Sequence, residues 1–435
     1  MGIREFTNYL LVFFVLVMEV TVFFDTIDLP IPRGLSLLTF VVLAAVFLKR
    51  NQTLHKRFIY VLVITIILII IQGVLFGFSI VTTITYPLFV FAVPYFLYKI
   101  IGKDIFIYVV NVIFYTALFA SFIWLIQAIF PPVDNILQAL RSSAGNPLIN
   151  GSEDRYRVSI GMLYTIPNWT SNFFGIEILR NAGIYHEPGA FAYFLILAIG
   201  LNTIIEKEFF NRKNLLLSCM LLSTFSTAGY LAFFVLLTYA VFQSELNATL
   251  KVFIVPVFFF VAFISFTQLD FMTDKIVEQY ETQLDDESVF ESRGGRVRRA
   301  RSAVYLLSSS PFIGRGIISA SADFELGSPY FFTGAGIWRT LSSYGMLFAP
   351  LIFLIYFLGI RKLSGQYQFD KNIAIYLFIA IAIGATSQRF FMDNITILLF
   401  MHGLLHVNNG IDNLRNHGLP KPKPKKTDES DRPDV

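Results

Sequence analysis

Arg180-Asn-Ala-Gly-Ile-Tyr-His-Glu-Pro-Gly189 runs without a break into the apolar stretch Ala190 to Ile205. That stretch approaches the roughly 20 residues needed to carry a helix across the hydrocarbon layer of a bilayer, so it reads as a membrane span. Just ahead of it stand a guanidinium, an imidazole and a carboxylate, Arg180, His186 and Glu187. Ionisable groups at the mouth of a membrane helix are costly unless a cavity or a partner receives them. The string therefore marks a fold class, a helical membrane protein, and a candidate site in the same place.

The rest of the chain has the same character. Of its 435 residues 55% are hydrophobic, 16% aromatic and only 15% charged, with a mean hydropathy of +0.64. Those values lie far from the mixture of a soluble globular domain, and 48 Phe exceed what a water-exposed fold of this length can hide. The apolar runs predict an all-α polytopic membrane protein with about twelve transmembrane helices. They fall at 9–24, 34–48, 58–76, 80–98, 105–130, 190–205, 215–227, 230–242, 252–266, 337–360, 373–385 and 395–407. The seventh and eighth are short and are expected to form a tight pair turned by Ser226-Thr227-Ala228-Gly229. Residues 1–407 then make a single transmembrane domain with two large extracytoplasmic loops, 131–188 and 267–335. Loops of that length are usually functional or disordered, and the aromatic and apolar residues along both favour folded ones. Residues 408–435 have the lysine- and proline-rich, then acidic, composition of a disordered cytoplasmic tail. The first apolar run lacks a basic n-region and a small-residue cleavage site, so it is expected to remain as a span. Cys219 is the single cysteine, expected as a small core hydrophobe inside a span, and Glu19 as an interior hydrogen-bonded acid.

Orientation follows from the excess of Lys and Arg in cytoplasmic loops. Lys49, Arg50, Lys56 and Arg57, then Lys99 and Lys103, then Lys207, Arg212 and Lys213, then Lys251, then Arg361, Lys362 and Lys371 fall on one side for this set of spans, which puts both termini in the cytoplasm. The opposite side carries Arg33, Arg141, Arg155, Arg157, Arg180, Arg293, Arg296, Arg298, Arg299, Arg301, Arg315, Arg339 and Arg389 against a lone Lys275. A topological rule treats the two cations alike, so this bias asks for a chemical reason. Guanidinium offers a planar fork that binds phosphate through two parallel bonds, and ammonium cannot copy it.

The densest stretch, Arg293-Gly-Gly-Arg-Val-Arg-Arg-Ala-Arg301, reads as an amphipathic helix ended by Pro311. Val297, Ala300, Val304 and Leu307 would form its apolar stripe, with Arg296 and Arg299 together on a neighbouring face. A membrane-surface face, a phosphate site and a partner interface are its three readings. Nucleic acid is not an expected partner, because the net charge is only +4 and the arginines lie outside the cytoplasm. The acidic run Asp285-Asp286-Glu287 lacks the spaced oxygen ligands of a cation site. The pairs Gly314-Arg-Gly316 and Gly334-Ala-Gly336 lack the strand-helix context of a nucleotide loop. No metal and no cofactor is expected.

Two groups of residues carry a resemblance. The Arg-x-x-Gly-x-x-x-Glu-Pro-Gly string (Arg180, Gly183, Glu187, Pro188, Gly189), the turn Ser223 to Tyr230 and the twelve-span architecture resemble bacterial O-antigen and capsule polymerases of the Wzy type. Gly295-Arg296, then Pro311-x-x-Gly314-x-Gly316, then Ser343-Tyr-Gly345 resemble the wider O-antigen ligase and polymerase superfamily. The ligases of that superfamily carry a catalytic histidine after the glycine block; here none occurs between Gly316 and Gly345, which favours polymerase. The resemblance implies an undecaprenyl-pyrophosphate-linked oligosaccharide donor, whose glycan passes to the repeat unit on a second lipid carrier in the bacterial inner membrane. A chain-length regulator protein is a further partner to consider.

On this reading Glu187, Arg180 and His186 form the catalytic group, and Arg296, Arg299, Arg339 and Arg389 bind the pyrophosphate. Other readings stand beside these. Arg180 and Glu187 can form a structural clamp at the helix mouth, Glu187 can cap the helix, His186 can be a polar wall residue, and Arg389 can snorkel to headgroups. The competing functions are a ligase of the same superfamily and a flippase of lipid-linked sugars. A flippase is expected to show internal repeats and charges along a path, whereas here the charge gathers at one face.

Overall fold

A computed structural model describes residues 2–20, 30–77, 88–143, 158–160, 162–167, 169–173, 176–245, 247, 251, 304–316, 336–386, 392 and 394–406. The architecture is mostly helical. Among the described residues the chain opens with three helices, α1 (Ile3–Val20), α2 (Pro30–Lys49) and α3 (Lys56–Phe76). A π-turn at Leu88–Ala92 leads into α4 (Val93–Ile101), followed by α5 (Ile105–Ile129) and α6 (Pro131–Ser143). Two antiparallel hairpins come next: β1 (Val158–Ile160) with β2 (Tyr164–Ile166), and β3 (Thr170–Phe173) with β4 (Ile176–Leu179). Then follow α7 (Pro188–Glu206), α8 (Arg212–Leu222), α9 (Thr227–Gln243), a short helical piece at 304–309, α10 (Gly336–Gln366), α11 (Ile373–Thr386) and α12 (Asn394–His406). The hairpins correct an all-α expectation. They lie in the first large loop, where 158–179 alternates polar and β-branched residues too briefly to stand out beside the apolar runs.

Among the described residues, four helices are long and apolar enough to cross a membrane: α3, α5, α7 and α10. Shorter apolar helices accompany them in α2, α4, α9, α11 and α12. The eleven residues of α8 are too few to cross the hydrocarbon layer. The expected span 252–266, the tail 408–435, most of the second large loop and the Glu19 side chain lie outside the described residues.

The bundle is organised around α7, of which 89% is buried, against 28% of α3. A helix that is apolar all round belongs in an interior, and α5, α8, α9 and α11 pack around this one. Lipid takes the outward faces of the others, where Phe119, Phe122, Val63 and Ile67 are exposed. Cys219 is exposed as well, which corrects its expected place in the core. It falls on the outward side of α8, with Leu215, Leu216 and Leu222. Among the described residues of the arginine-rich helix, Leu306 is buried and Val304 is half exposed, so the inward stripe is not the expected one.

Small residues let helices approach where no hydrophobic drive separates protein from lipid. A Cβ on Gly359 of α10 would meet Leu399 O at 2.0 Å, and one on Gly403 of α12 would meet Ile355 O at 2.3 Å. The two ends of the bundle differ in chemistry. At one, Arg50 donates to Ile100 O and Arg57 to Leu404 O at 3.1 Å, so two basic side chains close two helix C-termini. At the other, about 37 Å away along the 25 residues of α5, Trp124 Nε1 donates to Leu179 O at 3.1 Å and ties the second hairpin down. There Gln127 donates to Asp134 at 2.7 Å and accepts from Tyr164 at 2.5 Å, joining α5, α6 and β2. Burial, with Asp134 close by, pushes the Tyr164 phenol up and keeps it a neutral donor.

Candidate functional site

At the hairpin end of the bundle the string Arg180 to Gly189 is an ordered, mostly buried bridge between β4 and α7. Its backbone is tied at both ends of Arg180 and Asn181: Arg180 N donates to Trp169 O at 2.8 Å and Asn181 N to Ser223 O at 3.0 Å. Asn181 is fully buried and acts as the hub. Its Nδ2 donates to Ser121 Oγ at 2.9 Å and to Ser223 Oγ at 3.0 Å, while its Oδ1 accepts from Gly183 N at 2.9 Å. Gly183 has φ +61°, and a Cβ there would meet the Phe191 ring at 2.9 Å. Only glycine combines that left-handed turn with that approach. Tyr185 then stacks between Phe191 and Phe194, with centroids 5.4 and 4.9 Å away, which seats the string on the first turns of α7.

The string and the turn Ser223 to Tyr230 form one construction. Arg180 Nε donates to Thr224 O at 3.2 Å. The turn itself reverses at Phe225, whose φ is +47°, and Ser226 Oγ caps α9 by accepting from Gly229 N at 3.3 Å. Thr227, Ala228 and Gly229 thus belong to the first turn of α9, and the reversal lies three residues earlier than the sequence suggests. A Cβ on Gly229 would meet Ala192 Cβ at 2.6 Å, so α9 starts flush against α7. Tyr230 lies within electrostatic reach of Arg180 and donates its hydroxyl to Leu222 O at 2.6 Å.

Glu187 occupies the N-cap position of α7 in extended conformation, φ −158° and ψ 157°, and Pro188 begins the helix. Its main-chain oxygen accepts from Ala190 N and Phe191 N, but its carboxylate makes no capping hydrogen bond. Glu187 is thus the N-cap residue by position and backbone, without a side-chain capping bond. Glu187 is half-buried at the N-terminal end of α7. His186 beside it is 7% exposed. One short segment thus presents a cation, an imidazole and a carboxylate at the end of the most buried helix of the bundle.

A second construction involves α10. Gly345 breaks that helix with φ +68° and ψ 178°. The broken backbone is met by the turn 311–316: Arg315 N donates to Ser342 O at 2.8 Å and Gly316 N to Ser343 O at 3.1 Å, while Met346 N donates to Pro311 O at 2.7 Å and Leu347 N to Phe312 O at 3.1 Å. Gln72 of α3, 1% exposed, donates Nε2 to Ile313 O at 2.7 Å and to Ser343 O at 2.8 Å. A Cβ on Gly314 would meet Ser343 O at 2.5 Å, and one on Gly345 would meet Phe312 O at 2.3 Å. Gly314 and Gly345 therefore share one reason, the close crossing of two backbones. Arg315 extends from this crossing with its guanidinium 5.3 Å from the Phe76 ring centroid. Arg339 is half-buried in the first turn of α10. Arg296, Arg299 and Arg389 lie outside the described residues, as do Asp285, Asp286 and Glu287.

A family model described as O-antigen ligase matches residues 214–335. No curated protein and no solved structure matches the chain. The matched stretch takes in the turn that receives Arg180 and the turn 311–316 that closes the break in α10, and it ends one residue before α10 begins. It supports the O-antigen ligase and polymerase superfamily and a glycan-handling membrane protein, without separating polymerase from ligase. The string Arg180 to Gly189 precedes the match.

Asn181, Gln72 and Arg315 were not singled out as site residues from sequence. The available signal was a polar residue where its neighbours are apolar: Gln72 stands in Ile-Ile-Leu-Ile-Ile-Ile-Gln-Gly, and such a residue in a span is expensive unless it has a designated partner.

Proposed function

We propose that this protein is a membrane glycosyltransferase that polymerises lipid-linked oligosaccharide repeat units of an O-antigen or capsule. The observation that carries the reading is the junction of the Arg180–Gly189 string with the Ser223–Tyr230 turn through Arg180, Asn181 and Gly229. These are the two segments whose sequence resembles Wzy-type polymerases, and they build one site at one helix mouth.

In the proposed reaction an acceptor sugar hydroxyl on one lipid-linked repeat attacks the anomeric carbon of the growing glycan on undecaprenyl pyrophosphate. The new glycosidic bond forms as the anomeric carbon–oxygen bond to pyrophosphate breaks. Glu187 takes the hydroxyl proton, and the lipid pyrophosphate departs with the bonding electrons. The leaving group already carries charge well, so the demand on the protein is electrostatic, and preorganised guanidiniums meet it. Arg180 serves this role at the site, His186 orients the acceptor, and Arg296, Arg299, Arg339 and Arg389 hold pyrophosphate. No metal or nucleotide enters the scheme. The membrane is the bacterial inner membrane, with the site on its extracytoplasmic side.

The second reading is a ligase, favoured by the description of the matched family. The polymerase is preferred because no histidine lies between Gly316 and Gly345. Deleting the gene and resolving surface polysaccharide on a gel decides the matter. A product bearing a single repeat is expected; long polymer left unattached to its acceptor would make it a ligase, and lipid-linked repeats retained inside the cell a flippase.

A further inference from the structure

An asparagine side chain carries its hydrogens on one atom and its lone pairs on the other, so its partners decide which way the carboxamide faces. At Asn181, 0% exposed, both sides make that choice. Gly183 N can only donate, which puts Oδ1 towards it at 2.9 Å. Ser223 Oγ gives its one hydrogen to Met220 O at 2.6 Å and has only lone pairs left for the string. It therefore accepts from Asn181 Nδ2 at 3.0 Å, and Ser121 Oγ of α5 accepts from the same Nδ2 at 2.9 Å. An aspartate here would bring no hydrogen to Ser223, and an alanine would leave both serines without this donor.

What the carboxamide fixes is the seat of Arg180. The turn receives the string through two consecutive residues: Ser223 accepts from Asn181 N and Nδ2, both at 3.0 Å, and Thr224 O accepts from Arg180 Nε at 3.2 Å. Thr224 is itself buried and tied back to α8, its hydroxyl donating to Leu221 O at 2.7 Å. The carbonyl that holds the guanidinium thus stands next to the residue that Asn181 grips twice. On its other side Asn181 holds Gly183, where the left-handed turn towards His186 and Glu187 begins. A catalytic group misplaced by about 1 Å can lose on the order of 10²-fold in rate, so a rigid hub one residue from Arg180 bears on chemistry as well as on folding.

We propose that Asn181 is the positioning residue of this site: its carboxamide holds Arg180 against Thr224 in the geometry that the departing pyrophosphate requires. This rests on the glycan polymerase reading and deepens it by naming the group through which the Arg180 charge is fixed. Asn181 touches no substrate, so its effect on the reaction passes through Arg180 and vanishes when Arg180 is already displaced. A residue needed for folding alone would show no such dependence.

Polymer formation is followed for the full chain in nanodiscs, per folded molecule, on lipid-linked repeat extracted from cells lacking the gene. Asn181→Ala is expected to lower kcat by roughly 10- to 100-fold and to leave KM for the lipid-linked repeat nearly unchanged, since what is lost is transition-state stabilisation. In an Arg180→Lys background, which has no Nε–H for Thr224, the same substitution should add less than about threefold, because the two act through one group. If Asn181→Ala does not fold, Ser121→Ala decides: it removes one partner of Nδ2 and should lower kcat by roughly 3- to 10-fold, again without adding to Arg180→Lys. A variant with the wild-type kcat overturns the inference and leaves the polymerase reading intact. So do losses that multiply with that of Arg180→Lys, or a loss confined to KM, which would make Asn181 a support of the fold or a binding group. A wild-type protein that builds no polymer from the repeat overturns both.

Discussion

Arg180 is held by its own Nε on a main-chain oxygen of the neighbouring turn, which leaves its charge fixed at the site instead of sweeping solvent. Lysine keeps the charge but has neither an Nε–H at that position nor a fork. Arg180→Lys is therefore expected to lower polymer formation by roughly 10- to 100-fold, the equivalent of one charge-assisted hydrogen bond, at unchanged protein level in the membrane. Near-normal polymer would mean that charge alone suffices. For Glu187 the expectation is larger. Glu187→Gln preserves shape at an N-cap whose carboxylate makes no capping bond, so unfolding in detergent should shift little while the rate falls on the order of 10²- to 10⁴-fold, as for loss of a general base. Parallel loss of stability and activity would return the residue to the clamp reading.

Elements decide how much of this was legible in advance. The apolar runs placed α3, α5, α7 and α10 to within a few residues, because a span shows directly as composition. The string was also legible, since charges before an apolar run stand out. What stayed hidden was tertiary in origin. That Ser223 and Thr224 receive Asn181 and Arg180, or that Gly314 meets Gly345, depends on crossings between segments far apart in sequence, and a short motif does not say what it touches. The hairpins were missed for a different reason: strands of three or four residues are too short for a period to show. The same crossings make a test. Gly359 and Gly403 meet backbone to backbone, so Gly403→Leu should cost about 1–3 kcal/mol or prevent assembly. Gly365, in the same helix as Gly359, would place a Cβ 3.7 Å from Lys371 Cε, an ordinary contact. Gly365→Ala should then be neutral or stabilise by up to about 1 kcal/mol. Thermal unfolding of the two variants in detergent checks both, and equal effects would mean that the close helix contact is not what the glycine at 403 is for.

At the level of the whole molecule the two ends of the bundle divide chemistry between them. Basic residues at one end neutralise helix C-termini, where carbonyls lack partners and the dipole is negative: Arg50 on α4 and Arg57 on α12. These are also the residues that the positive-inside rule assigns to the cytoplasm. Helix-end neutralisation would work in either orientation, so it does not by itself say which end faces in; the proposed orientation, with the Arg180 site outside, rests on the loop bias alone. A sugar polymer built for the cell surface needs its acceptor on that side. The orientation is testable with single cysteines. In a Cys219→Ser background, which costs little because Cys219 is exposed, Thr53→Cys marks the basic end and Asn135→Cys the hairpin end, both at exposed positions. In right-side-out membrane vesicles a membrane-impermeant maleimide should label Asn135→Cys at once and Thr53→Cys only after permeabilisation. The reverse pattern would place Arg180 and Glu187 in the cytoplasm, where lipid-linked repeats are assembled and not polymerised, and would remove the polymerase reading whatever the single substitutions do.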